Sequence, residues 1–277
     1  MQVLMHSYTF RAYPLERAFK KAKEYGYDGL ELSTVHFDFF NLKGEVNRIK
    51  ELCAMFNLPV VTVDFPADFI SSEESLEKSV KNLIEAIPLC KSLGAKMLNG
   101  GVGPLAGEDP SDFAQGGSVI AREEHYERAI EALKALVPHL EKAELYLTLE
   151  IHMNTLHDTA GSTKRILDGV KSHFVKANLD PGNMFATPQA ENPLQAIDLL
   201  GSDIGYLHLK NCRMIGDRYD YSWSLANGDI DFFKVLSHFY GKGYSSDICI
   251  EYVGAGDPAP KAKEDIQYLR DILKEII

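Results

Sequence analysis

Residues 145–183, LYLTLEIHMNTLHDTAGSTKRILDGVKSHFVKANLDPGN, contain the pattern on which the fold assignment depends. Two short apolar and β-branched segments, which begin near Leu145 and Val175, flank a longer segment of helical period. A strand, a helix and a second strand in this order form the unit from which parallel sheets covered by helices are built. This stretch therefore predicts an α/β fold.

The same alternation runs along the whole chain of 277 residues. Amphipathic helical stretches such as residues 15–25, 43–56 and 123–140 separate the strand candidates. Eight parallel strands close into a barrel, and α/β barrels often occupy a chain of this length as one domain. We therefore expect a single (β/α)8 TIM barrel over residues 1–277. The eight strands are expected to begin near Val3, Asp28, Val60, Lys96, Leu145, Val175, Ile204 and Asp247.

An open, doubly wound sheet is the alternative, and its usual fingerprint is a glycine-rich turn after the first strand. Here that turn reads HSYTFRAYP, without glycine. The glycine cluster of the longest loop, residues 100–117, runs into prolines and acids and cannot present a helix N-terminus to phosphate. Nucleotide binding is therefore not predicted, and the loop is either a surface insertion or a substrate lid at the pocket.

Charge and cysteine usage exclude several classes of partner. The formal net charge of −11 repels polyanions, so neither nucleic acid nor an anionic membrane is expected to bind. The sequence has no 18-residue apolar run and no signal-peptide pattern, which predicts a cytoplasmic protein. Its four cysteines form no CxxC pair and are expected to be reduced thiols.

Polar residues fall at the predicted carboxyl ends of strands five to eight. These are Glu150, Asp180, His208 and Glu251. In a barrel, residues at this end of the strands point into the mouth where sites are built. Three carboxylates in a site of low dielectric would repel one another unless a cation neutralised them. The four residues are thus predicted to bind one divalent metal ion, with Mn²⁺ or Mg²⁺ as the first choice and Co²⁺ or Zn²⁺ as alternatives.

Five segments resemble successive motifs of the xylose-isomerase-like sugar isomerase and epimerase superfamily. They correspond to Glu-x-His on strand five, Asp on strand six, His-x-Lys on strand seven, Gly-x-Gly-x-(Val/Ile)-Asp-Phe before helix seven, and Glu on strand eight. The segments are LTLEIH, NLDPGN, YLHLKN, NGDIDF and GYSSDICIEY. The resemblance implies a barrel with one divalent cation at the matching positions.

In that superfamily, the carboxylates of strands five and eight flank the substrate carbon that loses or gains a proton. The resemblance thus implies that Glu150 and Glu251 are both ligands and acid/base groups, whereas Asp180 and His208 are ligands only. A metal bound to neighbouring carbonyl and hydroxyl oxygens acidifies the C–H bond between them. The implied activity is isomerisation or epimerisation of a keto-sugar or polyol, and a homodimer or homotetramer is compatible with it.

Further residues are candidates for binding the substrate. His152 shares a strand face with Glu150, and Lys210 shares one with His208, where it could neutralise an oxyanion. Arg213 follows in a loop where relatives often carry a substrate-binding arginine. The ends of the first four strands supply candidates for contacts with substrate hydroxyls, namely His6, Glu31, Asp64 and Asn99.

Two departures from the superfamily pattern leave the substrate open. Ketose 3-epimerases usually carry Asp-x-x-His on strand six, but here the last position is Asn183. An asparagine can hydrogen-bond a hydroxyl group but cannot carry a proton, so a standard ketohexose 3-epimerase is not implied. The entry to helix seven reads Leu-Ala-Asn-Gly-Asp in place of the usual Gly-x-Gly, and Asn227 could place a second side chain in the site.

Three other functions compete with the isomerase or epimerase. A lyase that dehydrates a keto-inositol or dehydroshikimate-like substrate would share the removal of an α-proton. An apurinic endonuclease would need more metal ligands and a DNA-binding surface, which the net charge of −11 disfavours. A non-catalytic sugar-binding barrel would have no need for both flanking glutamates.

Overall fold

A computed structural model describes residues 1–187, 191–216 and 218–277 of the chain. In it, eight parallel strands close into a barrel, each paired with its neighbours in sequence and the last paired with the first. Helices lie between the strands, so the prediction of a (β/α)8 TIM barrel is confirmed. We number the barrel strands β1 to β8. They are β1 (Val3–His6), β2 (Gly29–Leu32), β3 (Val60–Phe65), β4 (Met97–Gly100), β5 (Tyr146–Glu150), β6 (Val175–Leu179), β7 (Ile204–Leu209) and β8 (Asp247–Ile250).

The helices pack their apolar faces against the outside of this barrel. They are α1 (Leu15–Tyr25), α2 (Leu42–Phe56), α3 (Glu73–Ser92), α4 (Glu123–Ala143), α5 (Ala160–Val170), α6 (Pro181–Ala186), α7 (Pro193–Leu200), α8 (Phe232–Gly241) and α9 (Ala259–Ile276). In α1, for example, Leu15, Ala18, Phe19 and Ala22 are buried, which is the spacing of one helical face. A short antiparallel hairpin, Arg213–Ile215 with Arg218–Asp220, follows β7. No helix in the described ranges is both long and apolar enough to cross a bilayer.

The inside of the barrel changes from apolar to polar along its axis. Leu4, Val61, Met97, Tyr206 and Cys249 form a separate buried cluster within it. Because side chains alternate along a strand, Asn99, two positions after Met97, lies one layer closer to the carboxyl ends. That layer contains neutral polar groups that bond to one another: Asn99 Oδ1 accepts hydrogen bonds from Thr148 Oγ1 at 2.9 Å and from Asn178 Nδ2 at 3.0 Å. The ionisable residues of the mouth therefore rest on a packed floor.

The long loop after β4 is held by the loop after β5. The Leu105 amide donates to the Asn154 carbonyl at 2.7 Å, and the Val102 amide donates to His157 Nε2 at 3.2 Å. His157 is buried, and burial lowers the pKa of its imidazole to about 4. The hydrogen bond from Val102 also requires an unprotonated Nε2. The neutral form of His157 therefore belongs to the folded state.

This pKa predicts a loss of stability in mild acid. The usual pKa of histidine is about 6.5, so between about pH 6.5 and pH 4 His157 binds a proton in the unfolded chain but not in the folded protein. The free energy of unfolding therefore falls as the pH falls. The loss at pH 5 amounts to about 2 kcal/mol from this residue. Urea unfolding at pH 7 and pH 5 should show a smaller pH dependence for His157→Gln than for the wild type. The exposed His139→Gln variant is the control, and equal slopes for His157→Gln and the wild type would contradict the assignment.

Candidate functional site

The structure brings the four predicted metal ligands together at the carboxyl end of the barrel. Glu150, Asp180, His208 and Glu251 each offer a donor atom, and these atoms all lie within 4.8 Å of one another. Asp180, His208 and Glu251 are buried, and Glu150 is partly exposed. These positions follow from the strand ends, since each residue ends a barrel strand or lies within one or two residues of that end. Their role as ligands stays a prediction.

Lys210 places a positive charge among the carboxylates. Its Nζ lies 2.7 Å from Glu251 Oε2, 3.1 Å from Asp180 Oδ2 and 3.9 Å from Glu150 Oε1. Burial disfavours the charged ammonium, but these carboxylates outweigh that effect and raise the pKa of Lys210 well above its usual value. The lysine thus neutralises part of the charge that the sequence argument assigned to a metal alone.

The two glutamates and the aspartate differ in protonation behaviour. Burial opposes ionisation of Glu150 and Glu251. The positive charges of His208 and Lys210 stabilise ionised Glu150, and those of Lys210 and His6 stabilise ionised Glu251. Both pKa values therefore lie well below the usual range. For Asp180, burial raises the pKa and Lys210 offsets it only in part. Glu150 and Glu251 are thus ionised at neutral pH, which is the form that a general base requires.

Asn183 is a hydrogen-bond donor to two of these carboxylates. Its backbone amide donates to Oδ1 of Asp180, the N-cap of α6, at 3.0 Å. Its side-chain Nδ2 lies 2.9 Å from Glu150 Oε1 and 3.0 Å from Asp180 Oδ2. The residue that departs from the epimerase pattern therefore helps to hold Glu150 in place.

The two ring nitrogens of His208 have different surroundings. Its Nε2 lies 2.8 Å from Glu31 Oε2, whereas its buried Nδ1 has no hydrogen-bond partner in the described part of the chain and lies 3.6 Å from Glu150 Oε1. Burial favours the neutral imidazole, but Glu31 and Glu150 outweigh it and raise the pKa of His208 well above its usual value. A metal ion at Nδ1 would replace a proton there.

Glu31 and Asn99 do not contact the cavity as the sequence argument expected. Both are fully buried beneath it, and Asn99 Nδ2 donates to Glu31 Oε1 at 2.9 Å. Both residues lie one layer deeper in the barrel than the mouth and are not part of the cavity wall.

His6 and Asp64, the other two candidates from the first four strands, do line the cavity. His6 Nδ1 lies 2.9 Å from Glu251 Oε1, and its Nε2 lies 2.9 Å from Asp64 Oδ2. Burial and repulsion from Glu31 raise the pKa of Asp64 to about 8, although His6 acts in the opposite direction. Burial lowers the pKa of His6, but Asp64, Glu31 and Glu251 raise it well above the usual value.

The cavity at this end of the barrel has a volume of about 440 Å³, within the range of small-molecule sites. Its apolar wall includes Tyr8, Met153, Tyr221 and Val253, which the sequence argument missed. Tyr8 had a weak signal, because it lies two positions after His6. Tyr221 had none, because the segment after the hairpin has no regular period. The cavity's ionisable and amide residues are His6, Asp64, Glu150, His152, Asn183, Lys210 and Glu251.

Arg213 and the loop of residues 100–117 lie outside the wall of this cavity. The Arg213 guanidinium stacks over the Trp223 ring at 3.9 Å from its centroid, and Nε donates to the Asn227 carbonyl at 2.7 Å. Residues 111–114 of the loop border a neighbouring cavity of about 610 Å³, which shares Tyr221 with the first. The structure thus gives neither of them a direct contact with a ligand in the first cavity.

The NGDIDF segment has a structural role. Asn211 Oδ1 accepts hydrogen bonds from the Cys212 and Ile230 amides, and a Cβ at Gly228 would lie 2.1 Å from Asn211 Cγ. Only glycine permits this close approach. Asn227 donates to Ser224 and Glu264 and so does not enter the site as the sequence argument considered.

The residues present fit a divalent cation. His208 Nδ1 is a buried nitrogen without a hydrogen-bond partner in the described ranges, and it belongs to the same group of donors as three carboxylates. Lys210 compensates one of the three negative charges, and a divalent cation would compensate the other two. Oxygen donors with one imidazole suit Mg²⁺, Mn²⁺ or Zn²⁺.

Comparison with known proteins gives the same family that the motifs indicated. The family model for the xylose isomerase-like TIM barrel matches residues 19–272, and the chain belongs to this family. Fructoselysine 3-epimerase of Shigella flexneri is 22% identical over 276 residues, which cover 95% of this chain and 94% of that protein.

Two solved structures show the shared fold. A xylose isomerase-like TIM barrel protein from Mycobacterium smegmatis in complex with magnesium has a TM-score of 0.80 and 18% identity, with 99% of this chain and 97% of that chain covered. The probable 3-DHS dehydratase of Bacillus anthracis has a TM-score of 0.75 and 17% identity, with 98% and 99% covered. One fold therefore carries proteins named for different reactions.

Removal of the Lys210 charge should destabilise the protein. In Lys210→Met, Glu251 and Asp180 lose a buried partner, which typically costs about 3 kcal/mol. Urea unfolding at pH 7 in the presence of a chelator measures this loss. Lys234→Met is the control, because Lys234 is exposed and its pair with Asp231 at 3.0 Å should contribute less than about 1 kcal/mol. Equal small losses in both variants would refute the neutralising role of Lys210.

Proposed function

We propose that the protein is a divalent-metal-dependent isomerase or epimerase that moves a proton next to the carbonyl of a keto-sugar or polyol. The observation that carries this proposal is the placement of two ionised glutamates, Glu150 and Glu251, on the wall of one cavity, with donor atoms of the buried Asp180 and His208 within 4.8 Å of theirs. The relative named fructoselysine 3-epimerase supports the same class of reaction.

Glu150, Asp180, His208 and Glu251 would hold the metal ion. When bound, it would polarise the substrate oxygens and lower the pKa of the C–H bond between them. Glu150 enters the cavity from β5 and Glu251 from β8, three strands further round the barrel. One carboxylate can then accept the substrate proton, while the other, after it has taken a proton from solvent, donates that second proton from another side of the substrate.

Neighbouring groups would position the substrate. Asn183 Nδ2 and the Lys210 ammonium hold the two glutamates, while His6 and His152 also line the wall. The wall carries three carboxyl groups, from Asp64, Glu150 and Glu251, and Lys210 is already bonded to one of them.

A lyase is the second candidate, and Asp64 favours it. The pKa of about 8 leaves the Asp64 carboxyl group largely protonated at neutral pH, and the residue lines the cavity beside His6. A dehydration needs such an acid to protonate the departing hydroxyl group. The structural neighbour named as a 3-DHS dehydratase shares the barrel.

The test combines metal analysis with solvent exchange. The purified protein is analysed for bound metal and then incubated in D₂O with ketohexoses, keto-glycosides, a fructosamine adduct and keto-inositols. Epimerisation predicts deuterium at one carbon of both epimers, whereas dehydration predicts loss of water. If metal is bound but no substrate of these classes exchanges or reacts, the substrate assignment is wrong; if no divalent metal binds, the metal-dependent chemistry fails.

Glutamine variants separate the two roles of the glutamates. Glu150→Gln and Glu251→Gln keep an oxygen donor and nearly the same volume but cannot carry the proton. Each should lose about 10²–10⁴-fold in turnover and retain much of its bound metal. Glu127→Gln on the exposed face of α4 is the control and should behave as the wild type. Near-normal turnover in both site variants would leave these residues as ligands alone.

A further inference from the structure

Glu31 is a buried carboxylate that lies outside the cavity yet contacts the site through His208. It is fully buried on β2, beneath the mouth of the barrel. Its Oε2 accepts a hydrogen bond from Tyr206 Oη at 2.6 Å and lies 2.8 Å from His208 Nε2. Its Oε1 accepts from Asn99 Nδ2 at 2.9 Å. Both oxygens therefore have partners, and no ligand in the cavity can reach them directly.

The contacts of Glu31 determine which nitrogen of His208 carries hydrogen. An ionised carboxylate only accepts hydrogen bonds, and the Tyr206 and Asn99 contacts both treat Glu31 as an acceptor. His208 Nε2 must then donate. A metal ion binds the neutral imidazole, in which the other nitrogen, Nδ1, then carries the lone pair.

His208 Nδ1 faces the carboxylate cluster. It lies 3.6 Å from Glu150 Oε1 and, within the described ranges, is buried without a hydrogen-bond partner. A buried polar atom without a partner is costly, and a metal ion would give it one. The lone pair and the donor cluster are thus on the same side of the ring.

We propose that Glu31 is a positioning residue that fixes the tautomer and orientation of His208, so that His208 binds the divalent cation through Nδ1. This inference rests on the metal site of the proposed function. Glu31 touches neither the substrate nor the cation, but a carboxylate behind a ligating imidazole holds the ring and raises its basicity. Tyr206 and Asn99 hold Glu31 in turn.

A competing arrangement would use the opposite nitrogen. Glu31, His208 and Cys249 also offer donor atoms within 4.8 Å of one another, and an ion there would use donors on the floor side. Glu31 already has three partners at this position, however, and Cys249 is fully buried. Burial raises the pKa of the Cys249 thiol to about 12, which opposes the thiolate that a metal prefers. An ion at this depth would also lie beneath the cavity.

Glu31→Gln tests the positioning role without measuring activity. The amide is uncharged and has one accepting oxygen for three donors, so in either orientation its NH₂ group faces at least one of them and it holds Nε2–H less firmly than the carboxylate does. The dissociation constant for Mn²⁺, measured from the electron paramagnetic resonance signal of the free ion, should rise about 10–100-fold. Tyr206→Phe is the matched control, because it removes one donor and leaves the carboxylate; its effect should be smaller. Thermal unfolding of both variants shows whether they remain folded.

A second measurement on the wild type is independent of any folding defect. In protein with ¹⁵N-labelled histidine and bound Zn²⁺, His208 Nε2 should retain its proton while Nδ1 shows the shift of a coordinated nitrogen. A proton on Nδ1 would overturn the inference. An unchanged Mn²⁺ affinity in a folded Glu31→Gln variant would also overturn it, but would leave the proposed metal site intact. Failure of the wild type to bind either ion would instead overturn the metal site itself and this inference with it.

Discussion

The ion pairs of Lys210 with Glu251 and Asp180 are the interaction on which the mouth of the barrel depends. Several carboxylates here have little access to water, and unpaired charges in such a place are strongly destabilising. Lys210, at 2.7 and 3.1 Å from its two partners, supplies a compensating charge from within the chain. The carboxylates can therefore remain ionised, which both metal binding and base catalysis require.

The layers of the barrel explain how this charge is tolerated. The apolar cluster around Leu4 and Tyr206 closes the amino end, and the amide of Asn99 bonds to Thr148, Asn178 and Glu31 above it. Asn99 links these short neutral side chains to one another and also donates to a carboxylate at their level. Because that carboxylate is Glu31, the fixed dipoles of the floor are directed at the residue that contacts His208.

The positions of residues in segments with a regular period could be predicted from the sequence. Strand ends follow from apolar runs, and the period of two then placed Glu150 with His152 and His208 with Lys210. The depth of Glu31 and Asn99 could not be predicted, because neighbouring strands are staggered and the register shifts between β2 and β3. The location of Arg213 could not be predicted either, because it depends on a hairpin and on stacking against Trp223. Irregular segments carry no period from which a side-chain direction can be calculated.

Asn183 lies in this site but cannot take part in proton transfer. Its amide cannot take up or release a proton at neutral pH, and its Nδ2 is already bonded to Glu150 and Asp180. A histidine at this position could share proton transfer with Glu150, whereas the asparagine can only hold the carboxylate in one orientation. The other ionisable side chains at the wall are Glu150, Glu251, His152, Lys210 and the linked His6 and Asp64. His6 connects Asp64 to Glu251 through hydrogen bonds, whereas Glu150 accepts hydrogen bonds from the amides of Asn99 and Asn183. The two glutamates therefore differ chemically, because Glu251 is hydrogen-bonded to a chain of titratable groups and Glu150 to groups that cannot supply a proton.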